Sequence, residues 1–269
     1  MRYAQLVVGP AGSGKSTYCS LIQQHCQSVR RPIFIVNLDP AAENFSYTAV
    51  IDVRDLISVD DVQEDKELIL GPNGALIFCM EYLLQNMDWL HEQMDEVDDD
   101  YYLFDCPGQI ELYSHLPVMR SIADVLKSWD FNICTVFLLD THFVLNSNKF
   151  LSGALTTLST MVALETPSIN VLSKIDLLSE HDKTLLDTFL ETDPHSILDM
   201  DGETPWNKRY RSLTQSIASV LEDYSLVKFV PLNIDDEESI SDLLFLIDNA
   251  VQYGENLEVR DRYPEEIDD

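Results

Sequence analysis

Residues Gly9-Pro10-Ala11-Gly12-Ser13-Gly14-Lys15-Ser16 fit the spacing G-x-x-x-x-G-K-[ST] at every fixed position. The chemistry this implies is the binding of a chain of phosphates. Glycines let backbone N–H groups converge on phosphate oxygens with no Cβ in the way. An apolar run, Leu6-Val7-Val8, precedes the loop, and a helical pattern from Ser16 to Gln27 follows it. The helix therefore points its positive dipole end at the same anion. Lys15 would reach the β- and γ-phosphates, Ser16 would place its hydroxyl on Mg²⁺, and Thr17 would contact the α-phosphate. A chance glycine-rich turn is the competing reading, and the flanking strand and helix argue against it.

Three further segments carry polar groups just past apolar runs. Asp105-Cys106-Pro107-Gly108-Gln109 follows Tyr101-Tyr102-Leu103-Phe104. Here Asp105 would hold Mg²⁺ directly or through water, the Gly108 N–H would meet the γ-phosphate, and Gln109 would orient an attacking water. An ordinary Pro-Gly turn is the plainer alternative. Asn37-Leu38-Asp39-Pro40 follows Ile33-Phe34-Ile35-Val36. Asp39 could share the metal or the water, or merely close an Asp-Pro turn. Ser173-Lys174-Ile175-Asp176 follows Ile169-Asn170-Val171-Leu172. A carboxylate at Asp176 suits guanine, whose N1–H and 2-amino group are paired donors, and mismatches adenine. The Lys174 stem can cover a base face. A capped helix start with Asp176 near its N-terminus is the alternative. Val230-Pro231-Leu232-Asn233 stands where a second base-contacting loop would follow a last strand.

The elements that must position these groups can be read from periodicity. The runs at 6–8, 33–36, 101–104, 134–139, 169–172 and 227–230 are short and continuously apolar, as strands buried on both faces of a parallel sheet require. Helical spacing occupies 16–27, 75–94, 150–164 and 240–253. Alternating strands and helices predict an α/β fold: a doubly wound, mostly parallel sheet of the P-loop NTPase type, with helices on both faces. Residues 180–212 are polar and interrupted by Pro194, Gly202 and Pro205, and are expected to be a helical insertion or lid. Residues 1–258 are read as one domain and the charged 259–269 as a disordered tail.

Composition narrows the function classes. The 269 residues carry a formal charge of −30, which disfavours nucleic acid, since that recognition neutralises phosphates with Lys and Arg. The acidic excess serves solubility or docks a basic protein; Glu96–Asp100 and Asp235–Glu238 are the densest stretches. Five cysteines, with no C-x-x-C pair, argue against a disulfide framework or a zinc site and for a reducing, cytoplasmic setting. No signal peptide is expected, and no apolar run suggests a membrane span.

Together these residues resemble the GPN-loop GTPases. Gly71-Pro72-Asn73 matches that family's signature, although Gly71–Gly74 alone reads as a type II turn. Leu38-Asp39-Pro40-Ala41-Ala42-Glu43 and Asp105-Cys106-Pro107-Gly108-Gln109-Ile110-Glu111-Leu112 also look like the family. Tyr3–Val7, Phe78–Tyr82 and Ile247–Gly254 are most similar to its third eukaryotic paralogue. The resemblance implies a dimer in which Asn73 reaches the partner's γ-phosphate or the released phosphate. It also implies a hydrolytic cluster of Asp39, Asp105, Gln109 and Glu111 around Mg²⁺ and water, with GTP or GDP bound. It implies a paralogous GPN-loop GTPase as heterodimer partner (a homodimer being the other arrangement). RNA polymerase II subunits would be the clients, to be assembled and brought from cytoplasm to nucleus. Ser173 departs from the asparagine usual in GTPases. No arginine finger is evident, since Arg54 and Arg120 read as surface residues. Two other readings stay open: a P-loop small-molecule or polynucleotide kinase, whose lid would use Lys208, Arg209 and Arg211, and a nucleotide-bound scaffold with negligible turnover.

Overall fold

The computed structural model describes residues 2–94, 101–143, 145–191, 196, 205–223 and 227–254. Seven strands form a single parallel sheet: β1 (Arg2–Val8), β2 (Phe34–Asn37), β3 (Ala49–Asp52), β4 (Tyr101–Asp105), β5 (Phe131–Asp140), β6 (Ser168–Ser173) and β7 (Phe229–Pro231). Their spatial order is β3-β2-β4-β1-β5-β6-β7. β1 lies between β4 and β5, so the chain winds outward in both directions from it, and the crevice for a ligand opens at the carboxyl ends beside that switch point. The register brings those ends level: Asn37 and Val7 both stand opposite Asp105, and Asp140 stands opposite Ser173.

Helices cover both faces. They include the α-helices α1 (Lys15–Ser28), α2 (Val59–Glu64), α3 (Pro72–Gln85), α4 (Met87–Gln93), α5 (Glu111–Ser114), α6 (Val118–Ser128), α7 (Ser147–Leu164), α8 (Glu180–Glu191), α9 (Pro205–Asp223) and α10 (Glu237–Val251). One apolar cluster gathers Ala4, Leu6, Phe104 and Phe137 of the sheet with Leu83, Ile122 and Leu158 of α3, α6 and α7. The other gathers Val7, Leu103, Val136 and Val171 with Ile22 of α1 and Leu243 and Ile247 of α10. Alternate residues of one strand thus feed opposite cores, which is why the strands are apolar throughout.

Several expectations are corrected. The helix expected over 75–94 is two helices, because Asn86 leaves helical geometry (φ −118, ψ 34) and its Nδ2 donates to the Tyr82 carbonyl at 2.7 Å. An Asn side chain that bonds nearby backbone competes with the helix in this way. Gly71–Gly74 is a helix start and not a type II turn: Gly71 is the N-cap of α3 and Pro72 its first residue, where a missing N–H costs nothing. β3 was not visible as a strand, being four residues at the sheet edge. The last strand lies at 229–231 and not at 227–230. Within the expected insertion, Leu186 and Phe189 of α8 are buried in the larger core, and Phe189 packs on Phe150 of α7 at 5.8 Å between ring centroids. Glu96–Asp100, Pro194, Gly202 and 259–269 lie outside the described residues. No helix among the described residues is long and apolar enough to cross a membrane.

Arg31 closes the end of the sheet opposite the crevice. Its guanidinium is bidentate to Asp248 at 2.6 and 2.8 Å. It also lies 4.4 Å from the Tyr101 ring centroid and 4.0 Å from that of Tyr253. A fork-shaped cation can satisfy carboxylate and rings together; a lysine ammonium cannot. Replacing Arg31 by Ala strands a half-buried carboxylate and is expected to cost about 3 kcal/mol in urea unfolding, with Arg31→Lys recovering less than half.

Candidate functional site

The phosphate loop leaves β1 at Gly9, whose φ is +143 and whose Cβ, if present, would run into the Leu138 carbonyl oxygen. Glycine is therefore required by space and by backbone conformation at once. At the other end, Gly14 caps α1 in the left-handed region (φ 91), with no side chain bonded to the exposed helix amides. Those first-turn N–H groups are the donors an anion takes up. Lys15 is buried, and its Nζ donates to the Gly9 and Pro10 carbonyls at 3.2 Å each. The ammonium is thus folded back over the loop it would serve.

Two carboxylates flank this ammonium. Asp105, at the end of β4, is 3% exposed. Its Oδ2 accepts from the Tyr47 hydroxyl at 2.9 Å, and its Oδ1 is buried with no partner. Burial raises its pKa, and the Ser16 and Tyr47 hydroxyls and the Lys15 charge pull the other way. Asp39, half-buried past β2, accepts from the Ala41 N–H at 3.0 Å, and its own N–H is held by Asn37 Oδ1 at 3.0 Å. Its pKa is also raised by burial, against the Ala41 bond and Lys15. Lys15 is lowered by burial, with Asp105 and Asp39 opposing. All three groups are pushed toward neutrality, so the site holds charge that lacks full compensation.

The unsatisfied Asp105 oxygen tests the fit of a divalent cation. With the Ser16 hydroxyl beside the carboxylate and Asp39 close by, the donors are hard oxygens, as Mg²⁺ prefers. No group of three or more His, Cys, Asp and Glu that could hold a metal exists among the described residues. A cation here would therefore be held by Ser16, Asp105 and Asp39 together with phosphate oxygens, the usual arrangement for Mg²⁺.

The switch segment lies directly on the loop. A Cβ on Gly108 would meet Ala11 Cα at 2.9 Å and Lys15 Nζ at 3.0 Å. Gln109 is half-buried, and its Nε2 donates to Asn73 Oδ1 at 2.9 Å. Asn73, at the second position of α3, is exposed, so the bond joins the two signature segments within one chain. Glu111 opens α5 and is exposed.

At the base-reading end, Ser173 is buried and its Oγ donates to the Ser13 carbonyl at 2.7 Å and weakly to that of Leu139 at 3.3 Å. It ties this loop to the phosphate loop. Lys174 adopts a left-handed conformation (φ 63), and its Nζ donates to Asp140 Oδ2 at 2.7 Å. Burial raises the Asp140 carboxyl, but the bonds from Lys174 and His142 outweigh it and hold the pKa below its ordinary value. Asp176 carries a buried Oδ1 with no partner. Asn233, in the loop after β7, is engaged locally with Ser239 and Asp235.

Sequence reasoning missed Tyr47, Asn37 and Asp140. Asp140 sits at a strand's carboxyl end, the same signal that singled out Asp39 and Asp105. Asn37 precedes Asp39 by two residues. Tyr47 had only its aromatic character in a polar loop to mark it. Arg54, read as a surface residue, is instead half-buried: it chelates Asp52 and donates to the Ala42 carbonyl at 2.8 Å. Arg120 is an exposed partner of Glu165. Arg209 lies over the Tyr210 ring on α9.

The family profile described as "Conserved hypothetical ATP binding protein" matches residues 7–253. Curated relatives named GPN-loop GTPase 3 align along the whole chain. The one from Danio rerio is 50% identical, covering 100% of this chain and 93% of its own length. The one from Saccharomyces cerevisiae is 47% identical, covering 97% and 96%. A crystal structure of a GTPase in apo form from Pyrococcus abyssi superposes with a TM-score of 0.73 at 23% identity, covering 92% of this chain and 97% of that one. That likeness supports the doubly wound fold.

Two outcomes follow from the packing. Gly108→Ala forces the loop backbone to shift and is expected to weaken fluorescent GDP binding at least about tenfold, since a lost 1.4 kcal/mol is a factor of ten, with the circular dichroism unchanged. Ser173→Ala leaves the Ser13 carbonyl bond unmade and should weaken the same titration by about fivefold, given about 1 kcal/mol per hydrogen bond. Ser173→Asn should match or exceed the wild type.

Proposed function

The chain belongs to the family of GPN-loop GTPases, and we propose that it binds GTP with Mg²⁺ and hydrolyses its β–γ phosphoanhydride as a molecular switch. The observation that carries this reading is the buried, partnerless Oδ1 of Asp176 at the carboxyl end of β6. Guanine brings two adjacent donors to such a carboxylate. Adenine brings none in that position and would leave it desolvated and unpaired. The guanine assignment rests on this residue, whatever nucleotide the family profile's description mentions.

The placement of each residue supports a part for it in hydrolysis. Backbone N–H groups from Gly12 to Ser16 and the start of α1 bind the phosphates. Lys15 exchanges its carbonyl partners for phosphate oxygens and brings a positive charge to where negative charge builds up. When bound, Mg²⁺ would supply further neutralisation of the β- and γ-oxygens, held by Ser16 and Asp105 with Asp39 nearby. Gln109 gives its Nε2 to Asn73, which leaves Oε1 as the atom that can accept a hydrogen bond from the attacking water and orient it. Gly108 packs closely on Ala11 of the loop, and its N–H would meet the γ-phosphate. Glu111, two residues on, is exposed at the start of α5.

The wider role rests on the resemblance. The switch acts in a dimer with a paralogous GPN-loop GTPase, a homodimer being the other arrangement. RNA polymerase II subunits are its clients, and assembly and nuclear import of that enzyme are the process served. It works in the cytoplasm and shuttles to the nucleus. The −30 charge suits binding of basic protein segments over nucleic acid. Light scattering of the purified chain, with GDP and then with a non-hydrolysable GTP analogue, separates a nucleotide-driven homodimer from a chain that needs a paralogue. Depleting the chain from cells should leave RNA polymerase II subunits in the cytoplasm, and unchanged nuclear levels would remove the client assignment.

Competition against fluorescent GDP tests the base preference. GTP should displace it at about 10³-fold lower concentration than ATP or less, and Asp176→Ala should collapse that ratio. Equal displacement by ATP would overturn the guanine reading. Gln109→Leu should slow phosphate release by about 10²-fold, the size of a lost proton-positioning group, while GTP affinity stays within about threefold.

A further inference from the structure

The segment between Asp39 and β3 is strapped down along its length. Ser20 Oγ donates to the Ser46 carbonyl at 3.2 Å. Gln23 holds Thr48 from both sides, its Nε2 donating to the carbonyl and its Oε1 accepting from the N–H, each at 3.0 Å. Arg54 donates to the Ala42 carbonyl at 2.8 Å and lies 4.9 Å from the Phe45 ring centroid. Phe45 in turn stacks on Tyr47, with centroids 4.4 Å apart and planes within 6°. The Tyr47 side chain has one consequence for the reacting centre: its ring is buried, and its hydroxyl donates to Asp105 Oδ2 at 2.9 Å. The second carboxylate oxygen is the one left without a partner.

We propose that Tyr47 is a positioning residue that fixes the Asp105 carboxylate for a divalent cation and thereby couples cation binding to the 38–48 loop. A carboxylate with both oxygens free can rotate about χ2, and its orientation must be settled each time a cation enters. A phenol bonded to Oδ2 removes that freedom and leaves Oδ1 as the remaining acceptor. Hydrogen bonds to a charged acceptor are about twice as strong as neutral ones, so the tie can hold against thermal rotation. Because the phenol is carried by the loop that also holds Asp39, displacing that loop withdraws the support. The chain thus has a route by which the loop's position sets how tightly the cation is held. This inference rests on the site being one that binds nucleotide with Mg²⁺.

The test uses the full chain and the release of a fluorescent GDP, chased with excess unlabelled GDP at a series of free Mg²⁺ concentrations. In wild type, Mg²⁺ slows release with a definable half-point. Tyr47→Phe keeps the stacked ring and removes only the hydroxyl. Its half-point should move to about tenfold higher Mg²⁺, the scale of a hydrogen bond to a charged group, while release in EDTA stays at the wild-type rate. Phe45→Leu, which loosens the stack and keeps the hydroxyl, should move the half-point the same way by less. A Tyr47→Phe half-point equal to wild type overturns the proposal, as does an equal acceleration in EDTA, which would make Tyr47 a packing residue only. Wild type that binds GDP with no Mg²⁺ effect on release overturns the cation reading of the site along with this inference. A normal wild-type response with an unmoved variant overturns the inference alone.

Discussion

A buried ammonium and a buried carboxylate, neither fully paired, set the terms for the rest of this molecule. Lys15 and Asp105 are both buried, and burial pushes each toward its neutral form. Charges removed from water at this depth persist only where surrounding dipoles and hydrogen bonds hold them. The loop carbonyls of Gly9 and Pro10, the Tyr47 phenol and Ser16 hydroxyl supply part of that support. What they leave unmet is an affinity for a polyanion and a cation, arriving together. The sheet, the two apolar cores and the loop straps keep these groups from relaxing into mutual satisfaction.

The parallel sheet makes this possible through register. With every strand running the same way, every carboxyl end falls on one edge. The pairing of Val7, Asn37 and Asp105 brings the phosphate loop, the Asp39 segment and the switch segment to one level. The pairing of Asp140 with Ser173 does the same for the base-reading loop. Two short ties then hold these segments: Ser173 joins the base-reading loop to the Ser13 carbonyl, and Gln109 joins the switch segment to Asn73 of α3. Ser173, shorter than the asparagine usual at its position, makes the loop-to-loop bond to the Ser13 carbonyl. At the opposite end of the strands, Arg31 binds α10 to the sheet through Asp248 and two tyrosine rings. Stability and ligand binding are thereby placed at opposite ends of the same strands.

What the sequence by itself determined was local. Gly9–Ser16 dictates an anion-binding loop because glycine, lysine and serine at that spacing have few other uses between a strand and a helix. Asp39, Asp105 and Asp176 were legible because each follows an apolar run, and parallel topology sends the ends of such runs to one edge. What only the tertiary structure decided depends on partners far apart in the chain. The Tyr47–Asp105 bond spans 58 residues, and the Gln109–Asn73 bond spans 36. β3 exists because β2 offers it an edge, not because its own four residues demand a strand. Asn86 could have continued a helix by periodicity, and its side chain, turned back to the Tyr82 carbonyl, ended it. Periodicity reports which face of an element is buried. It carries no information on which polar atom will be left without a partner, and in this protein those atoms define the site.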